Sequence, residues 1–244
     1  MTVPSIGIVV ALPAEARSLV RQRLGFESLH ELPEGHWLTV SGAGPDAADR
    51  AVNRLIEREV SALISWGCAA AIAEHLVPGH LVLAEHIHAE DDQLHTTDTA
   101  WRQRLAANLP PQLKTQSGAI RESRRVVGTR TEKASLQQQT GAVAVDMESG
   151  AIARRARAHS LPFLAVRAIA DPAMMDFPGA VTRSLNPRGD VRILELLSHI
   201  ARRPGEIPDL IRLGQAFGAA VRTLQQVRQH AGPDFSFTPP SLQP

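Results

Sequence analysis

Three acids, Glu15, Glu148 and Asp171, each stand at the exit of an apolar run. Glu15 follows IGIVVALPA, Glu148 closes AVAVDME, and Asp171 closes FLAVRAIAD. In open α/β sheets the exits of the strands border the ligand site. Carboxylates gathered there could bind hydroxyls and move a proton. Glu15 has a second reading of equal weight, because the helix dipole favours a carboxylate in the first turn of a helix. Gly42 and Gly44 flank a tight turn before a helix and could cradle an anion, although a packing turn explains them as well. Cys68 has no histidine in register and reads as a small buried hydrophobe. His86, His88 and His95, near Glu90, Asp91 and Asp92, match no compact zinc spacing and read as an exposed loop, so no metal is expected.

The elements that must position these residues follow from periodicity. Residues 6–12 read as a buried strand, stopped by Pro13, and AEARSLVRQRL as a helix with Ala16, Leu19, Val20 and Leu24 inward. Residues 36–40 read as a strand, followed by a helix burying Ala48, Ala51, Val52, Leu55 and Ile56. Residues 62–66 form the next strand and run into a small-residue turn, GCAAAIA; residues 81–87 form another strand. Residues 99–109 are helical, 114–123 extended, 126–129 the start of a further element, and 132–139 a helix with little apolar character. Residues 144–171 organise the chain: a strand, the helix SGAIARRARA and a second strand, read as a parallel-type crossover. In PAMMDFPGAVT, Pro172 and Pro178 break regular structure. Met174, Met175 and Phe177 there suit a substrate wall, a lid or packing against the last helices. Residues 190–201 and 210–227 read as amphipathic helices. Residues 1–230 are taken as one domain and 231–244 as a proline-rich, poorly ordered tail.

Composition narrows the function classes. The chain has 244 residues, 43% hydrophobic and 21% charged, with a formal net charge of +1, so it has no bias toward nucleic acid. Arg154, Arg155 and Arg157 read as a solvated helix face. One cysteine excludes a disulfide framework and a thiolate cluster. No stretch reaches the roughly 18 apolar residues of a membrane span. A cytoplasmic enzyme is expected.

Four stretches in order, IGIVVALPAEA, SGAGPDAA, SWGCAAAIAEHLVPGHLVLAE and VDMESGAIARRARAHSLPFLAVRAIAD, resemble the purine and uridine phosphorylase superfamily, on the side of the methylthioadenosine/S-adenosylhomocysteine nucleosidases. The GAVAVDMES wording is most similar to the hopanoid-associated phosphorylase-like proteins. The resemblance implies an α/β, three-layer αβα fold with a central mixed sheet. It implies cleavage of an N-glycosidic bond with release of adenine, from lipid-linked adenosylhopane in hopanoid biosynthesis or, alternatively, from methylthioadenosine or S-adenosylhomocysteine. It implies no cofactor, water or phosphate as nucleophile, a homo-oligomer, and work at the inner membrane surface if the substrate is a lipid.

Carried over by matching position, Asp171 is the acid at N7 of the purine, Glu148 holds the ribose hydroxyls and Met147 packs on the sugar. Glu15 orients the attacking water, Cys68 stands where the nucleosidases usually have Ser, and Gly67 and Ala69 shape that turn. Arg167 and Arg50 are possible anion contacts. The chain departs from the pattern in three places. Ala170 precedes Asp171 where the nucleosidases have Ser. GTRTEKASLQ lacks the aromatic that stacks on the base. Pro13-Ala14-Glu15 replaces the glycine-rich phosphate loop of the phosphorylases. A carboxylate at the nucleophile's place repels phosphate, which favours hydrolysis over phosphorolysis. A nucleoside-binding module without turnover is the rival of a different class, since it could keep Glu148 but has no need of Glu15.

Overall fold

Among the described residues, short runs of small and branched apolar side chains build a nine-stranded mixed sheet. The computed structural model describes residues 4–177 and 204–239. The helix expected at 190–201 and the end of PAMMDFPGAVT lie outside them. In chain order the elements are β1 (Ile6–Val10), α1 (Pro13–Ala16), β2 (Leu29–Glu31), β3 (Trp37–Val40), α2 (Pro45–Ile56), β4 (Ala62–Ala71) and β5 (Leu81–His88). They continue with β6 (Leu94–Thr96), α3 (Thr99–Asn108), β7 (Thr115–Glu122), α4 (Arg130–Thr140), β8 (Ala144–Asp146), α5 (Ser149–Ala158), β9 (Phe163–Asp171) and α6 (Ile207–His230). The expected three-layer αβα arrangement around a mixed sheet holds. One core joins β1, β3 and β4 to Trp101 and Leu105 of α3 and to Ala220, Leu224 and Val227 of α6. The other packs α2 through Ala51 and Leu55, and α5 through Ile152 and Ala156.

The pairing of β4 is what positions the site. Its first half lies parallel to β1 on one side and β9 on the other. Its last residues pair antiparallel with β8, Ala70 with Val145 and Ala71 with Ala144. The unit at 144–171 is therefore not a parallel crossover: β8 and β9 flank β4 in opposite directions. With β5–β9, β5–β7 and β7–β8 pairings, five strands close a ring. Both acidic strand exits still reach the same end of β4, because Ala70 is the register partner of both Val145 and Asp171. The β4–β9 register slips between Ala69–Ile169 and Ala70–Asp171, leaving Ala170 as the extra residue of a bulge. A bulge re-aims the side chain beside it, here that of Asp171.

Several expectations are corrected. The first helix spans only Pro13–Ala16. The N–H and hydroxyl of Ser18 both donate to the Glu15 carbonyl, and the hydroxyl accepts from Trp66 Nε1, a local closure that competes with helix continuation. Leu19, Val20 and Leu24 still pack inward. The GCAAAIA segment is mostly the second half of β4 rather than a turn. Residues 126–129 begin no separate element but lead into α4. His95 is buried on the edge strand β6, not in an exposed loop. The tail is docked: Phe235 and Phe237 are core residues, and Trp101 Nε1 donates to the Phe235 carbonyl at 2.7 Å. Aromatic bulk outweighs the proline content of that segment, at least to residue 239.

Candidate active site

Glu15 is held by backbone. Its Oε2 accepts from Ala11 N at 3.1 Å and Leu12 N at 2.9 Å, and its Oε1 from Cys68 N at 2.7 Å. The first two donors come from the chain turning off β1, and the third from β4, 53 residues away. Pro13 at the first helical position fixes that turn. Burial raises the Glu15 pKa above the usual carboxylate range, while the Arg167 charge and these three N–H groups oppose the rise. Gly67 makes room for the arrangement. A Cβ on it would lie 2.6 Å from Glu15 Oε1 and 2.7 Å from Arg167 Nη1. Gly67→Ala is therefore expected to cost about 1–3 kcal/mol by overpacking. Urea unfolding measures this, and an unchanged midpoint would mean that Glu15 and Arg167 have slack.

Arg167, from the middle of β9, is a buried cation at this end of the sheet. Its Nε donates to Asp146 Oδ2 at 2.7 Å, and its Nη2 to Ser65 Oγ at 2.7 Å and Ser149 Oγ at 3.2 Å. The same nitrogen lies 3.8 Å from Glu148 Oε2. Glu148 sits at the N-terminal flank of α5 and accepts from Gly44 N at 2.8 Å. The glycine turn does receive an acid, and that acid is the protein's own Glu148 carboxyl. Gly44 reaches it with φ of 95°, a conformation glycine adopts without strain. Burial and the charge of Asp146 push Glu148 up to about 8, against the pull of Arg167 and the Gly44 N–H. Asp146 also accepts from the Glu148 and Ser149 N–H groups and from the Ser149 hydroxyl.

Asp171 is buried at the end of β9. Its partner is Lys133 of α4, whose Nζ lies 2.8 Å from the carboxylate. Burial pushes Asp171 up to about 6, and the ammonium limits the rise. Sequence reading missed Lys133. A lysine on a polar helix reads as solvated, and only its full burial marks it.

The structure thus brings Glu15, Glu148, Arg167, Gly67 and Cys68 into one polar cluster, with Asp171 at the adjoining strand end. Met147 is half-buried between Asp146 and Glu148, Ala69 precedes the bulge, and the half-buried Cys68 has its thiol pushed well up by burial. Arg50 stands apart, exposed on α2. The α5 arginines are not simply solvated: Arg154 pairs with the buried Glu122 and Arg155 is bidentate to Asp49. Among the described residues no group of His, Cys, Asp and Glu side chains converges with the geometry of a metal site.

Residues 5–189 match the family model described as the phosphorylase superfamily. A futalosine hydrolase of Streptomyces coelicolor is 28% identical over 183 residues, covering 66% of this chain and 77% of that protein. A 5′-methylthioadenosine/S-adenosylhomocysteine nucleosidase of Staphylococcus epidermidis is 25% identical over 193 residues, covering 71% of this chain and 79% of that protein. The solved 5′-methylthioadenosine/S-adenosylhomocysteine nucleosidase from S. pneumoniae, bound to a transition-state inhibitor, superposes with a TM-score of 0.66 at 20% identity, over 93% of this chain and 99% of that one. That likeness is one of fold.

Proposed function

The chain belongs to the phosphorylase superfamily, and on that premise we propose that it is a nucleosidase that releases the base from an adenosine-type nucleoside, with water as the nucleophile. The observation that carries this reading is the placement of three buried carboxylates, Glu15, Glu148 and Asp171, around one end of β4. Glycosidic cleavage needs a leaving base that departs neutral and a sugar whose developing positive charge is tolerated. In this reading protonated Asp171 donates to N7, and the C1′–N9 bond breaks with its electron pair passing to the purine. Glu148 binds the ribose hydroxyls, and in its ionised form, which grows as pH rises toward about 8, its charge favours the oxocarbenium-like state. Water bonds to C1′ as Glu15 takes its proton. Met147 packs on the sugar, and Gly67, Cys68 and Ala69 form the floor of the site.

Water is preferred over phosphate on electrostatic grounds. The N–H groups of Ala11, Leu12 and Cys68 that could receive an anion already hold Glu15. Arg167 is engaged by Asp146, Ser65 and Ser149. An entering phosphate would meet the two acids Glu15 and Glu148 and a cation already engaged by Asp146.

The finer assignment is adenosylhopane, supported by the GAVAVDMES resemblance and by the exposed Met174 three residues past Asp171. Such a substrate would draw the enzyme to a membrane surface; none of the described helices is long and apolar enough to cross one. A second reading, a small 5′ group as in methylthioadenosine or S-adenosylhomocysteine, is favoured by the Staphylococcus epidermidis relative. It is also favoured by Phe235 and Phe237, which turn into the core rather than line a hydrocarbon exit. Chromatography of adenine released from adenosylhopane, methylthioadenosine and S-adenosylhomocysteine, with and without phosphate, tests both. Release from the hopanoid alone supports the lipid reading, and preference for methylthioadenosine the second. Strict phosphate dependence rejects water as nucleophile. No release from any of them leaves a nucleoside-binding module.

A further inference from the structure

We propose that Lys133 is the positioning residue for Asp171: its enclosed ammonium aims the carboxylate, favours its charged form in the free enzyme, and ties down the segment that follows. The inference rests on the reading of Asp171 as the acid at the base. An ammonium has three N–H donors. Those of Lys133 are matched by the Asp171 carboxylate at 2.8 Å, the Pro172 carbonyl at 2.9 Å and the Met175 carbonyl at 2.8 Å. No donor is left for a ligand, so Lys133 acts through Asp171 and not on substrate.

The local architecture serves that contact. The capping box of Thr129 and Glu132 starts α4 one residue before Arg130. The helix buries only Lys133 completely, so its docking depends on that ion pair more than on an apolar stripe. Two further bonds lock the same surfaces. Arg130 N donates to Asp176 Oδ1 at 2.8 Å, and Phe177 N to the Gly128 carbonyl at 2.6 Å. Residues 172–177 and the start of α4 therefore form one unit with Asp171 at its inner end. The charged groups facing Asp171 are Lys133 from α4 and Asp176 from the following segment, and they act in opposite senses.

The sign of the effect separates this role from a merely structural one. A nearby cation stabilises the carboxylate. Removing it raises the Asp171 pKa from about 6. The acid is active when protonated, so activity is lost as pH rises through that pKa. Lys133→Met then moves the alkaline limb of kcat/KM to higher pH while lowering its plateau.

The test is a pH titration of aspartate carboxyl carbons by NMR in the full chain, with Asp171→Asn assigning the signal, on wild type, Lys133→Met and Lys133→Gln. The Gln variant keeps a hydrogen bond without the charge and stands in if the Met variant does not fold. The expected result is a midpoint raised by about one unit or more in both, with a parallel shift of the alkaline limb for adenine release. A midpoint that stays within a few tenths of a unit of wild type overturns the inference, even if both variants are less stable. If wild type releases no base from any nucleoside, the nucleosidase reading falls while the titration still decides the role of Lys133.

Discussion

On the proposed mechanism, Asp171→Asn is expected to lower the rate of base release by about 10²- to 10⁴-fold, the range for loss of a positioned general acid. Asparagine keeps the shape of the side chain and can still accept from Lys133, but it cannot deliver a proton to N7. The measurement is kcat/KM on whichever nucleoside the enzyme prefers. It needs two companions. The first is a melting curve, because breaking a buried ion pair costs up to about 3–5 kcal/mol, and Lys133 would keep only neutral acceptors, the asparagine oxygen and the carbonyls of Pro172 and Met175. The second is a riboside with a nitrophenolate leaving group, which departs without protonation. On that compound the loss shrinks to less than about tenfold if Asp171 acts on the leaving group. An equal loss on both substrates would move Asp171 from proton donor to binding residue, and a folded variant within threefold of wild type would remove it from the chemistry.

Glu15→Gln is expected to lower hydrolysis by a further large factor, about 10²–10⁴, through a different step. Both Glu15 oxygens accept backbone N–H bonds, two at Oε2 and one at Oε1. Glutamine offers one oxygen and turns an NH₂ group toward at least one of these donors, so part of the loss is positional. The discriminating readout is phosphate. With the charge gone, an anion meets less repulsion beside Arg167, and any phosphate-dependent release should be retained or rise while the water reaction falls. Hydrolysis that survives Glu15→Gln unchanged would mean that the water is oriented by another group. A parallel fall of both reactions would assign Glu15 to the structure of the turn.

Much of this site is legible along the chain, because each acid is marked by its local setting. Glu15, Glu148 and Asp171 follow apolar runs, and a strand must end where its exit meets polar residues. Burial faces are equally local, which is why the inward residues Ala48, Ala51, Val52 and Leu55 of α2 are readable from spacing alone. Even Leu19, Val20 and Leu24 turn inward as their spacing predicts, although the helix meant to carry them stops at Ala16. What the sequence by itself determined is therefore which apolar faces of the regular elements turn inward and which carboxylates stand at strand exits.

Tertiary structure alone decided how those groups are paired and in which direction their strands run. The three residues of β8 carry no signal of running against β4. Lys133 meets Asp171 across 38 residues, and Arg167 reaches Ser65 across 102. The glycine turn reaches Glu148 across 104, and Trp101 takes Phe235 into the core across 134. A buried charge requires a partner but does not name one. The partner is whichever side chain the closed sheet and its bulge at Ala170 bring within hydrogen-bonding distance, and that proximity is a property of the whole fold and not of any stretch of chain.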